Sequence, residues 1–192
     1  MAGAAFLMAD GIITPPISVS SAVEGLRQIN PDLNTVPIVV AIIILIFIFQ
    51  RAGTNVVGKA FGPIMLVWFS MIAILGINQI VKDSSVLSAI NPYYAYAFLS
   101  SGSDAFVLLG AVFLCTTGAE ALYSDLGHCG RKNIQVSWIF VKICLLLNYF
   151  GQGAWLLAQE GKTLDGAKPF FKIMPEWFLL IGIVIATMAA VI

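Results

Sequence analysis

Apolar residues dominate this chain in long runs, separated by short polar segments. Residues 36–50, VPIVVAIIILIFIFQ, carry no charge, and residues 61–80, FGPIMLVWFSMIAILGINQI, extend the same pattern. Further runs occupy 105–123, 134–158 and 177–192, and a less apolar one covers 2–26. A helix needs about 20 apolar residues to cross the hydrocarbon core of a bilayer. The pattern therefore predicts an all-α, polytopic membrane protein, one transmembrane domain over 1–192 with six spans. Connections fall at 27–35, 51–60, 81–104, 124–133 and 159–176. INPDLN (29–34) reads as a turn. NPYYAYAFLSSGSD (91–104) is the place for a short interfacial helix, because tyrosine favours the headgroup level.

Composition agrees with the pattern. Ten Lys+Arg and ten Asp+Glu in 192 residues leave too little polar material to cover a water-facing surface. Zero net charge gives no reason to expect a nucleic-acid partner. Cys115, Cys129 and Cys144 have neither CxxC nor zinc spacing and read as buried thiols. No basic region precedes the first apolar run and Asp10 interrupts it, which argues against a cleaved signal peptide. The runs begin at residue 2 and continue to residue 192, so the expectation is a segment of a larger transporter. Loop Lys and Arg residues divide almost evenly between the two faces, leaving orientation open.

The first run holds the least expected residues. On a helix, Asp10, Thr14, Ser18, Ser21 and Glu24 fall within about 120° of arc, one polar stripe on an apolar segment. Carboxylate and hydroxyl oxygens are hard ligands, suited to alkali or alkaline-earth cations, and such a stripe also suits a proton path. Pro15 and Pro16 are not expected to sit together in an unbroken helix. They would free carbonyls near Ala9–Ile12, as in the broken helices of secondary transporters. The alternative is that the prolines begin the helix, with Asp10 and Thr14 as caps.

A second acid, Glu120, follows at least fifteen mostly apolar residues in FLCTTGAEALYSDLGHCG (113–130). A buried carboxylate is costly unless protonated, paired or ligating. Thr116 and Thr117 stand four and three residues before it, Tyr123 one turn beyond, and Gly118 permits close backbone approach. Asp125 reads as a cap or interface residue and His128 as a loop hydrogen-bonding residue. Lys142 either snorkels or pairs with an acid. Asn148, with Gln152 between Gly151 and Gly153, either lines a cavity or joins helices. Asn78 and Gln79 read as ordinary interface residues, and Gly58-Lys59 as a tight membrane-surface turn. GxxxxGKA lacks the phosphate-loop hydroxyl and follows no strand. No nucleophile–base pair or cofactor motif stands out, so an enzyme is not expected.

ADGIITPPISVSSAVEGL, QRAGTNVVGKAFGPIMLVWF, GAVFLCTTGAEALYSDLGHCGRKNIQVSW, LLNYFGQGAWLL and PEWFLLIGIVIATMAAVI, in this order, resemble successive blocks of the KUP/HAK/KT potassium-uptake transporters. The resemblance implies a proton–potassium symporter of a bacterial inner (plasma) membrane. It also implies a partial LeuT-like, amino acid–polyamine–organocation core of two inverted repeats, of which this chain resembles the third to eighth helices. It further implies that Asp10, Thr14 and Ser18 face Thr117 and Glu120 to bind potassium, with Asp10 or Glu120 carrying the proton. Secondary candidates are Thr116, Tyr123, Glu24 and Asn148; Glu24 is read as marking the far mouth of the path. Partners would be potassium, protons, the lipid bilayer, the missing helices and, as a candidate assembly, a second copy in a homodimer; no cofactor is implied. The family's topology puts the 51–60 and 124–133 loops in the cytoplasm. Ala9, Pro16 and Cys129 depart from residues common in the family, and none removes a carboxylate. Two other readings compete, a transporter of an amino acid or other small organic solute, and an inactive membrane scaffold. Two acids along one path favour a cation.

Overall fold

The computed structural model describes residues 2–50, 54–100, 102–115, 131–164 and 168–191. All regular structure among them is helical: α1 (Ala2–Val23), α2 (Val36–Gln50), α3 (Thr54–Lys82), α4 (Pro92–Leu99), α5 (Ser103–Cys115), α6 (Arg131–Leu157), α7 (Pro169–Lys172) and α8 (Glu176–Val191). Two 3-10 helices, Glu24–Gln28 and Ser84–Ile90, join them. Among the described residues, 61–82 and 131–157 are long and apolar enough to cross a bilayer, and α2 and α8 are shorter apolar helices. At about 1.5 Å per residue, the 15 residues of α2 and 16 of α8 fall short of the roughly 30 Å hydrocarbon core. Isoleucine and valine are indifferent helix formers in water. In hydrocarbon, where backbone groups must satisfy each other, the Ile-rich α2 has no better choice. Pro37 sits in its first turn, where the missing N–H costs nothing.

The chain forms two compact units, one of residues 1–75 with 161–192, the other of residues 76–160. In the first, α1 packs on α8 and α2. Its core is Val19, Val23 and Val39, surrounded by Leu26, Ile38, Ile42, Ile43 and Val191. Asn30 and Asn34 build the turn between α1 and α2, their side-chain oxygens accepting from the amides of Asp32 at 3.2 Å and Val36 at 3.1 Å. A side chain at Gly25 would collide with the Phe171 ring and Ile183, so glycine lets the chain leave α1 close against α7 and α8.

In the second unit, α6 packs against the 3-10 helix Ser84–Ile90 and crosses the end of α3. Gly76 and Gly151 touch backbone to backbone there; a methyl on either would overlap main-chain atoms of the other helix. Asp83 caps the 3-10 helix. Its carboxylate accepts from the Ser85 hydroxyl at 2.6 Å and the Ser85 amide at 3.0 Å, and these bonds, the hydroxyl first, hold it below the usual carboxylate range. Asn91 caps α4 by accepting from the Tyr93 amide at 3.0 Å, with Pro92 next in line.

Several expected boundaries are corrected. α1 runs unbroken through Pro15 and Pro16, so the prolines neither divide the helix nor begin it, and Asp10 lies within it rather than at a cap. Packing of the following turn, where Val19, Ala22 and Val23 are buried, holds the helix together across the two missing donors. Residues 54–60 belong to α3, which places Gly58-Lys59 in a helix rather than a turn. The 91–104 segment does hold a short helix, α4, with Tyr93, Tyr94 and Tyr96 exposed on it.

Candidate ion-path residues

The polar stripe of α1 begins at Asp10, whose backbone is helical and whose side chain lies outside the described set. Thr14 and Ser21 are exposed and Ser18 half-buried. At about 100° per residue, Thr14 and Ser21 lie well away from Val19 and Val23, while Ser18 stands one turn before buried Ala22 and borders the packed face. The helix thus packs through its valines and leaves Thr14 and Ser21 exposed. Ser21 opens, with Ser20, onto a groove of about 360 Å³ shared with Val36 and Val40 of α2.

Pro15 and Pro16 carry no N–H, so the carbonyls of Gly11 and Ile12, four residues earlier, lose their helical donors. An unwound segment is not required to free them. Two backbone acceptors thus lie within a turn of Asp10 and Thr14. Carboxylate, hydroxyl and carbonyl oxygens are hard ligands of the kind that group-one cations take.

Glu24 follows in the 3-10 helix and receives an ion-pairing hydrogen bond from the Lys168 ammonium. The sequence held no local sign of this contact, since the partners stand 144 residues apart. It ties the end of α1 to the start of α7.

Thr116, Thr117, Gly118, Glu120, Tyr123, Asp125, His128 and Cys129 lie outside the described residues. In the second unit, Asn148 is buried beside the Gly76–Gly151 crossing, and its Oδ1 meets no donor among the described residues. Gln79 is buried and Asn78 exposed. Cys144, one turn before Asn148, is a free buried thiol. Among the described residues Lys142 pairs with no acid, and its ammonium sits 4.9 Å from the centre of the Trp138 ring. Attraction to the ring face favours a cation at this position.

Long apolar helices and oxygen-bearing positions within them define a multi-pass helical membrane protein. The chain matches, over residues 1–192, the model of the K+ potassium transporter integral membrane domain, and it belongs to that family. It is 64% identical over 195 residues to a probable potassium transport system protein Kup of Flavobacterium psychrophilum. It is 63% identical over 197 residues to that of Cytophaga hutchinsonii, and 50% identical over 202 residues to a probable Kup 1 of Lactococcus lactis subsp. lactis. These alignments take in 99%, 100% and 100% of this chain and 30% of each relative. The chain thus spans about a third of the length of the curated relatives it matches. No solved structure matches it.

Proposed function

We propose that the protein carrying this chain imports potassium across a bacterial inner membrane by secondary active transport, coupled to protons. The observation that supports this best is the α1 stripe: Asp10, Thr14, Ser18 and Ser21 share one arc of the helix by their spacing, with Thr14 and Ser21 exposed, in a chain of the potassium transporter family. In this reading Asp10, Thr14 and Ser18 ligate a largely dehydrated ion together with Thr117 and Glu120. The freed carbonyls of Gly11 and Ile12 add acceptors at the same depth. One of the two carboxylates takes up and releases the coupling proton. Thr116, Tyr123, Glu24 and Asn148 are secondary positions along the path, Glu24 at its far end.

The chain then contributes six spans, the third to eighth helices of a LeuT-like inverted-repeat core. The helices around them, and a second copy of the protein in a homodimer, are its proposed partners. Rubidium uptake by cells lacking other potassium importers tests the site in the full-length protein. With Asp10→Asn or Glu120→Gln, uptake at low external potassium should fall at least about tenfold, the factor that about 1.4 kcal/mol of lost ligation produces. Undiminished uptake in both variants would remove these residues from the site.

A further inference from the structure

Glu24 and Lys168 form the one ion pair among the described residues. It joins the 3-10 helix that ends α1 to the residue preceding α7, both within the first unit. The two side chains keep 29% and 44% of their exposure, so the carboxylate stays open to an ion from outside the fold. We propose that Lys168 sets the affinity for the transported cation: its ammonium occupies the Glu24 carboxylate as a tethered competitor that an incoming potassium ion displaces. The inference rests on the reading of Glu24 as the far end of a potassium path.

The pair is not what holds this part of the fold together. Phe171, Ile173 and Met174 are buried. Phe171 fills the niche left by Gly25, and Met174 the one left by Gly182. Phe170 meets Trp68 of α3 with 5.7 Å between ring centres. Burial of these side chains docks the segment after Lys168, whereas a half-exposed ion pair adds little to stability. The carboxylate is also taken by one cation among several nearby in the chain. Arg27, three residues on in the same 3-10 helix, and Lys172 at the end of α7 are exposed and form no ion pair among the described residues.

The chemistry of the partner suits exchange. A lysine ammonium is a compact point charge on a flexible stem, and it leaves a carboxylate without any movement of the backbone. Arginine, with its planar two-pronged grip, would hold on more firmly. An exposed pair of this kind is formed a few times more often than it is broken. Only the broken fraction offers its oxygens to a free cation, so the apparent affinity is reduced by that fraction.

The test is the KM for rubidium uptake by the full-length protein in cells lacking other potassium importers. Lys168→Gln frees the carboxylate and should lower KM by about two- to sixfold with Vmax unchanged. Lys168→Arg should keep KM at or above the wild-type value. Lys172→Gln removes the same charge from the same short segment without touching the pair, and should leave KM as it is. Glu24→Gln should raise KM, and adding Lys168→Gln to it should change nothing further, because the two act through one contact. An unchanged or raised KM in Lys168→Gln, or an equal fall in Lys172→Gln, would overturn the inference. So would a loss of Vmax and of melting temperature in Lys168→Gln with KM constant, the signature of a purely structural tie. Uptake that falls with Asp10→Asn while ignoring Lys168→Gln would overturn this inference alone, whereas a wild-type protein that carries no rubidium would overturn the transport reading with it.

Discussion

At Asn148, the orphaned Oδ1 sets the cost of a buried amide against whatever the residue does. A buried acceptor without a donor costs about 1–3 kcal/mol, whereas an apolar group of similar shape costs nothing there. Asn148→Leu should therefore leave the detergent melting temperature unchanged or raise it, with uptake intact, if the residue only joins helices. Lost uptake at unchanged melting would instead put Asn148 on the ion path. Asp83 offers a pH-dependent contrast outside the spans. Its folded-state pKa is depressed by Ser85, so the cap's contribution is present above the usual carboxylate pKa and lost as pH falls through the lower folded value. Protection of the amides of 85–88 from hydrogen exchange, taken relative to the intrinsic rate at each pH, should fall in wild type as pH drops below the usual carboxylate range. In Asp83→Ala that protection should be low at every pH. Identical profiles in the two would mean that the cap does not hold the 3-10 helix.

Helices in this chain meet in two physically different ways, one through branched side chains and one through bare backbone. Lipid tails are as apolar as leucine, so close fit rather than escape from water holds the contacts together. Gly151→Ala forces the α3–α6 crossing apart and should cost about 1–3 kcal/mol, in the range of core overpacking. Gly62→Ala, where a methyl meets nothing, is the control and should melt as wild type does. Equal melting of both variants would deny the crossing its structural role. The limits of α2, α6 and α8 were readable to within a few residues, because hydrocarbon tolerates little except helix and the apolar runs end sharply. α1 was less legible. Periodicity found its stripe, but a proline rule drawn from water-soluble helices wrongly broke it, since that rule ignores the packing of Val19 and Val23 on α8 and α2. The join of Gly58-Lys59 to α3 was missed because two small-residue gaps and two cations resemble a turn. Gly76, plain in the sequence, gained its meaning only beside Gly151.

For the molecule as a whole, apolar runs established a membrane protein, and ordered sequence blocks pointed to the family that the full-length match then showed. Of the proposed site, the sequence offered residue types on a helical face: hydroxyls and a carboxylate at four-residue spacing. Contacts between residues far apart in sequence were not, as Glu24 and Lys168 illustrate, because nothing local marks them. The central claim is that Asp10 and Glu120 serve one potassium path. Its most direct measurement is rubidium entry into proteoliposomes holding purified full-length protein, with lumenal pH followed by a trapped dye. Wild-type protein should take up rubidium and acidify the lumen together. Asp10→Asn and Glu120→Gln, purified with unchanged melting, should lose uptake by about tenfold or more, and the double variant should lose scarcely more than either alone, as groups acting together do. Wild-type rates in both single variants, or losses that simply multiply, would contradict a shared path.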